Sequence, residues 1–436
     1  MRHLIRPRRK LEHRNFKPLL DMINKIEVKE IDYFKTNKIC VVGTRHPYSH
    51  YQNLGRFPDL DFMYQDLVGW SIDPTQHLNM SICAGSGLGK GKITKSIIAQ
   101  YHKQGYRILV FSPKEDEFSI SKKTAGKGEY LHPLMEKLKL PIVSYMPSYV
   151  KFRREERGFP TKGYKFYSHT IKNFTSIDMW NSLGLSMQMS GYCVKKINSG
   201  VGSLTELQEQ IEHDSKQKLL FPGHVMSAKF VIDNLIGTKY IDEKLPPLDL
   251  NNDWGWNKED KGKPIRNNNI CVFNYFALRD HSFMNSDIFR VLNYVREIVQ
   301  SARKNGFNDP VLCVLDDLNY YGAKNSDNEL CIQAIVDLQI NLRKLGIHNI
   351  LAFQYPESVH PDIMRGSTSM LVSYVQDPRS FSGVLNSDTI YTLSASEDEG
   401  GLTINKPHIV EWIFRTDSRE WFTFFPFGVI TGHDFS

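Results

Sequence analysis

Residues 79–98, NMSICAGSGLGKGKITKSII, constrain this chain more than any other stretch. NMSICA (79–84) is a short apolar run that reads as a buried strand, and GSGLGKGK follows at once. Ile93, Ile97 and Tyr101 then fall at i, i+4 and i+8, the stripe of a helix that ends at Gly105. A second apolar run, RILVF (107–111), comes next. Strand, glycine-rich turn, helix and strand within about 30 residues predict a βαβ unit of a parallel sheet.

The same rhythm returns later, after an interruption. From 151 to 265 the chain is rich in Lys, Arg and Glu, with helical pieces LTELQEQIEH (204–213) and VMSAKFVIDNLI (225–236) and a polar stretch NNDWGWNKEDKGKP (251–264). NICVFNYF (269–276) then predicts a strand. The helix after it carries Ile288, Leu292, Val295, Val299 and Ala302, with Ser286 or Asp287 near its start and Gly306 at its end. VLCVL (311–315) is the next strand. A helix with Cys331, Ile335, Leu338, Leu342 and Leu345 stops at Gly346, ahead of a strand NILAF (349–353). The expected fold is α/β with a parallel-sheet core and an inserted, mostly helical subdomain. Its divisions are a basic arm (1–18), an N-terminal region (19–77), a first core segment (78–150), the insertion (151–265), a second core segment (266–390) and a β-prone C-terminal segment (391–436).

A loop that cradles phosphates needs glycines so that backbone N–H groups can converge, a lysine for the terminal phosphates and a hydroxyl for Mg²⁺. Two of these three demands are met. In one register Gly85, Ser86, Gly87, Leu88, Gly89, Lys90, Gly91 and Lys92 form the loop, with Lys90 as the phosphate lysine and Gly91 where Ser or Thr is expected. Two residues later, Lys92 is the lysine and Ile93 takes the hydroxyl position. The first register joins the loop directly to the strand and keeps a β-branched apolar side chain away from the metal. Thr94 or Ser86 offers only an indirect hydroxyl.

Hydrolysis at such a loop also requires carboxylates at a neighbouring strand end. VLCVLDD supplies Asp316 as the metal ligand and Asp317 as the base, with Glu115 and Glu117 as alternatives after RILVF. The strand NILAF ends at Gln354, a neutral group suited to sensing a terminal phosphate or its attacking water. Strand ends next to such a loop are where ligands bind in parallel sheets.

Residues 341–385 then carry the most specific pattern in the chain: Arg343, Gly346, Ile347, His348, Leu351, Ala352, Gln354, Pro356, and later Asp377 and Arg379. This segment resembles the FtsK/HerA superfamily of DNA-pumping ATPases over about 78–118 and 268–390, and Lys90 followed by glycine is similar to the loop of conjugative coupling proteins. The resemblance implies a RecA-like (ASCE) P-loop NTPase that hydrolyses ATP with Mg²⁺. It further implies a homo-hexameric ring around double-stranded DNA, with ATP between subunits and an arginine from the neighbour completing the site. Arg379 is the first candidate for that arginine and Arg365 the second. A packaging or secretion partner is also implied. A non-motor NTP-binding switch or assembly platform is the alternative, because the loop lacks its hydroxyl and the base is an aspartate.

Composition bounds the rest. With 436 residues, 41% hydrophobic and 12% aromatic, the chain can bury a sizeable core, which excludes wholesale disorder. Its net charge is +7, and residues 1–18 hold seven cations (Arg2, Arg6, Arg8, Arg9, Lys10, Arg14, Lys17) against Glu12. The body is therefore nearly neutral, and the arm is a candidate for salt-sensitive phosphate contacts with a polynucleotide. The run VKFRREERGFPTKGYKFY (150–167) is a second candidate. No window reaches the ~18 consecutive apolar residues of a membrane-spanning helix, and no apolar segment follows the arginine-rich N-terminus, so a cytoplasmic or virion-associated protein is expected. The six cysteines lack CxxC pairing and read as small buried hydrophobes.

Overall fold

The computed structural model describes residues 39–44, 67–72, 78–85, 89–114, 141–257, 268–276, 281–323, 329–340, 342–373, 412–415 and 421–426. Within them the strands are β1 (Ile39–Thr44), β2 (Leu67–Ser71), β3 (Asn79–Cys83), β4 (Arg107–Ser112), β5 (Ile142–Pro147), β6 (Lys165–Tyr167), β7 (Ile270–Asn274), β8 (Val311–Leu315), β9 (Ile347–Phe353), β10 (Ser369–Val372), β11 (Trp412–Arg415) and β12 (Trp421–Pro426). The helices are α1 (Lys90–Lys103), α2 (Ser148–Glu156), α3 (Ile177–Asn181), α4 (Met187–Asn198), α5 (Leu204–Lys216), α6 (Pro222–Gly237), α7 (Asn251–Trp254), α8 (His281–Lys304), α9 (Glu329–Ile340) and α10 (Pro361–Arg365).

The strands form one sheet in the order β2-β1-β12-β11-β10-β3-β9-β8-β4-β7-β5-β6. From β10 to β6 every pairing is parallel, whereas β11, β12, β1 and β2 extend the sheet antiparallel. The central strands are apolar throughout because both faces are covered. On β4, Leu109 and Phe111 enter the cluster that includes α8 and α9, while Ile108 and Val110 enter the one built on Ile93, Ile97, Ile98 and Tyr101 of α1. β1 and β2 pack over α1 as well, where the Trp70 indole donates to the Tyr101 hydroxyl at 3.0 Å. β3 and the acid-bearing β8 are not adjacent. β9 lies between them, so its last residues fall between the glycine loop and the acids.

Several local expectations shift. The helix expected to run on through Leu345 ends at Ile340, and Leu342–Leu345 forms a separate 3-10 turn before Gly346, whose φ of +69° only glycine adopts freely. α8 starts at His281, ahead of the Ser286 and Asp287 expected at its start. Asp287 is instead wholly buried where α8 meets the ends of β6 and β7. Its Oδ2 accepts from the hydroxyls of Tyr167 (2.6 Å) and Tyr275 (2.7 Å), and its Oδ1 is bonded to His169 Nε2. One turn further on, the buried Arg290 guanidinium stacks on the Phe174 ring, 3.4 Å from its centroid.

The basic-aromatic run at 150–167 is partly interior. Arg154 is fully buried, donates twice to the Pro160 carbonyl and lies against the rings of Phe159, Tyr164 and Phe276. That guanidinium is tied up in packing and is closed to a polynucleotide. All six cysteines are buried free thiols. Among the described residues, no helix is long and apolar enough to cross a membrane.

Candidate nucleotide site

Parallel register builds the site at one edge of the sheet. Cys83 pairs with Phe353 across β3–β9, Leu315 with Leu351 across β8–β9, and Phe111 with Leu315 across β4–β8. The residues leaving these strands, Gly85, Gln354, Asp316, Asp317 and Lys114, therefore emerge together. The Ala84 N–H donates to the Phe353 carbonyl (3.3 Å) and the Asp316 N–H to the Phe111 carbonyl (3.0 Å), which continues the ladder past the strands.

Gly89 caps α1 in the left-handed region, with φ +89°, and its carbonyl accepts from the Ile93 N–H at 3.0 Å. A side chain there would strain the backbone. With Lys90 and Gly91 opening the helix, the first N–H groups of α1 and its positive dipole end lie at the loop. Ser86, Gly87 and Leu88 lie outside the described residues, as does the side chain of Lys92.

Lys90 is buried, and its Nζ donates to Asp317 Oδ1 at 2.8 Å. Lys114 reaches the other oxygen of the same carboxylate at 2.9 Å and lies 3.8 Å from Asp316 Oδ2. Burial by itself would push the Asp317 carboxyl up, but Lys90 and then Lys114 outweigh it and hold the group below its ordinary value. Asp317 is thus a carboxylate at neutral pH. Its backbone is left-handed, φ +47° and ψ 50°, which Asp tolerates better than most residues. Gln354 Nε2 lies 3.5 Å from Asp317 Oδ1. Asn319 sets the exit of β9: its Oδ1 accepts from the Gln354 N–H at 2.8 Å, and its Nδ2 donates to the Tyr355 carbonyl at 2.8 Å.

Thr94, weighed as a substitute hydroxyl, donates to the Lys90 carbonyl at 3.0 Å and is buried, so it is committed to the helix backbone. His348 is buried within β9, its Nδ1 3.3 Å from the Tyr101 hydroxyl and its ring against Tyr106. Arg365 is 77% exposed and pairs with Asp362 at 2.8 Å. It lies near the start of β3, where the Gly366 carbonyl accepts from Asn79 Nδ2, at the sheet edge opposite the loop. Arg379, Asp377, Glu115 and Glu117 fall outside the described residues, as does the side chain of Arg343.

Sequence reasoning missed Lys114 and Asn319. Lys114 follows RILVF by three residues, so a basic side chain after a core strand was the available signal. Asn319 carries none, because its role depends on β9 lying beside β8. Among the described residues, no group of three or more His, Cys, Asp or Glu side chains could hold a metal alone. Asp316 is a hard oxygen donor of the kind Mg²⁺ takes when phosphate oxygens supply other ligands, so it fits that ion as part of a nucleotide complex.

A strand-loop-helix with its lysine on an acid that follows a strand two places along the parallel sheet is the arrangement of the RecA-like P-loop fold. No protein-family model matches the chain, and no curated protein matches it by sequence. Among solved structures it is similar to VirB4 of Thermoanaerobacter pseudethanolicus, with TM-score 0.53 and 13% identity over 82% of this chain and 92% of that one. A weaker likeness, TM-score 0.48 at 12% identity, covers 89% of this chain and 93% of the unbound bacterial conjugative coupling protein TrwBΔN70. The first of these bears on the fold, which is the one the sequence resemblance implied.

Proposed function

We propose that this chain is an ATPase that drives DNA transport. The observation that carries the nucleotide reading is the convergence of Lys90, Asp317 and Gln354 at one sheet edge, from three separate elements. Lys90 and the α1 N-terminus hold the phosphates. A triphosphate tail competes with Asp317 for Lys90, because phosphate oxygens bear more charge than a single carboxylate. Asp317, relieved of that partner, accepts the proton of a water that Gln354 orients. The water oxygen bonds to the terminal phosphorus, the bond to the bridging oxygen breaks, and ADP and phosphate leave. Asp316 would hold Mg²⁺, whose charge would offset that of the phosphates.

The DNA-transport reading rests on the sequence resemblance together with the fold shared with VirB4. In it the chain works as a homo-hexameric ring on double-stranded DNA in the cytoplasm, or with a virion, alongside a packaging or secretion partner. Arg379 of one subunit serves the site of the next. The basic arm at 1–18 holds phosphates without reading sequence.

A second reading has a specific observation behind it. Gly91 offers no hydroxyl and Thr94 is committed to the Lys90 carbonyl, which favours a nucleotide-gated assembly platform with slow turnover. ATP hydrolysis with and without double-stranded DNA, in wild type and Lys90→Ala, separates the two. A DNA-stimulated rate abolished at Lys90 is expected; no turnover with DNA and Mg²⁺ leaves the platform.

A further inference from the structure

Lys114 stands on the acid pair from the side opposite β9. It lies two residues past β4, and its backbone is pinned there: Asn274, at the end of β7, donates from Nδ2 to the Lys114 carbonyl at 3.3 Å while its Oδ1 accepts from the Phe276 N–H at 3.1 Å. The ammonium then reaches Asp317 at 2.9 Å and Asp316 at 3.8 Å. Two lysines thus brace one carboxylate, one on each oxygen. They differ in access: the Lys90 side chain is 5% exposed and that of Lys114 is 32% exposed.

We infer that Lys114 is a second phosphate-binding cation, one that contacts the terminal phosphate of a nucleoside triphosphate and so distinguishes triphosphate from diphosphate. This deepens the ATPase reading and rests on it. A phosphate chain held by Lys90 must end near Asp317, since Lys90 and Gln354 both meet Asp317 Oδ1. There the phosphate charge meets two buried acids, and repulsion disfavours the complex unless a cation stands between them. Lys114 already meets both acids and needs only to turn its ammonium to reach that position. It is also flexible and partly solvated, so it can swing from carboxylate to phosphate without opening the core. Gly91 supplies no hydroxyl for Mg²⁺, which makes a side-chain cation at the phosphates more consequential.

Nucleotide titrations on the full chain in EDTA test this, using the β,γ-imido analogue of ATP and ADP as probes. Lys114→Met should weaken the triphosphate analogue by ~10-fold, the scale of one charge-assisted contact, with ADP affinity within about twofold. Lys90→Met should weaken both nucleotides. Lys114→Gln keeps a donor for Asp317 without the charge, and it should show the same selective loss even if the methionine variant folds poorly. If the Lys114 variants lower thermal stability while leaving the ratio of the two affinities unchanged, and Lys90→Met still weakens both, Lys114 is only a counterion for the acids. That result overturns the inference and leaves the ATPase reading intact. If the wild type binds neither nucleotide, the ATPase reading falls and takes this inference with it.

Discussion

Lys90 and Asp317, 227 positions apart in the sequence, meet at 2.8 Å inside the protein. One opens α1 and the other lies two residues past the end of β8, and only β9 separates β8 from β3, the strand that leads into the loop. The loop lysine is therefore already aimed at the acid that would receive the proton of the attacking water. In Lys90→Ala, ATP turnover should fall by about 10²–10³-fold, on the scale of removing one preorganised charge from a developing anion. Steady-state phosphate release checks this. Turnover that survives Lys90→Ala but is lost in Lys92→Ala would shift the loop by two residues.

Asp317→Asn separates binding from chemistry. The amide is close to the carboxylate in shape but cannot accept the proton, so single-turnover hydrolysis should slow by ~10²–10⁴-fold, the usual contribution of general base catalysis. The affinity for the β,γ-imido analogue should hold or rise, because Lys90 loses its competitor. Asn319→Ala should slow the same step less, by releasing the backbone of Gln354, and it should move kcat more than KM. Equal losses in binding and chemistry for both variants would refute these assignments.

Acid should weaken the fold in two stages. Burial holds His169 below its ordinary value, against the opposing pull of Asp287, and burial likewise lowers His102. A histidine depressed in the folded state takes up its proton preferentially in the unfolded chain, so stability drops as pH falls below ~6.5. Asp317 is also depressed, so its contribution is complete above the ordinary carboxylate value near ~4 and is lost as pH falls through its lower folded value. Chemical-denaturation midpoints from pH 8 to 3 should show both declines. Asp317→Asn should shrink only the more acidic one, because Asp214 and Glu212, also held low by Lys196 and Lys229, keep their share.

Asp287→Ala should cost about 3–5 kcal/mol, because it strands two tyrosine hydroxyls and His169 in the interior. Urea denaturation reads this directly. A change below about 1 kcal/mol would mean that water or a rearranged partner satisfies the three groups.

The basic arm makes a separate prediction. Deleting residues 1–18 should flatten the dependence of DNA affinity on salt, by up to about six phosphate contacts, with little effect on ATP turnover without DNA. An unchanged slope would make the arm a bystander.

The glycine loop, the acid pair and Gln354 were legible because each sits at the end of an apolar run. A strand end needs only its own residues to announce itself. The helices of the core were legible for the same reason, through the spacing of Ile288, Leu292 and Val295, although the helix carrying Leu338 stopped earlier than its apolar pattern because the turn at Leu342–Leu345 tightens before Gly346. Asp287 read as a helix-start residue and proved to be a buried acceptor, since its partners come from the ends of β6 and β7, over 100 positions upstream in the case of Tyr167. Arg154 in its basic run read as a candidate for phosphate contacts and proved to be packed among aromatic rings.

The sequence by itself determined the α/β class and the positions of the glycine-rich stretch and the acid pair after their strands, because those depend on contiguous residues and strand periodicity. Only the tertiary structure decided that β9 separates loop from acids, that Asn319 fixes Gln354, that Thr94 is committed to its own helix, and that Lys114 shares a carboxylate with Lys90. Most of those follow from which strand lies beside which. Parallel strands can be joined in many orders by the same helices, and the order is selected by burying both faces of the whole sheet at once.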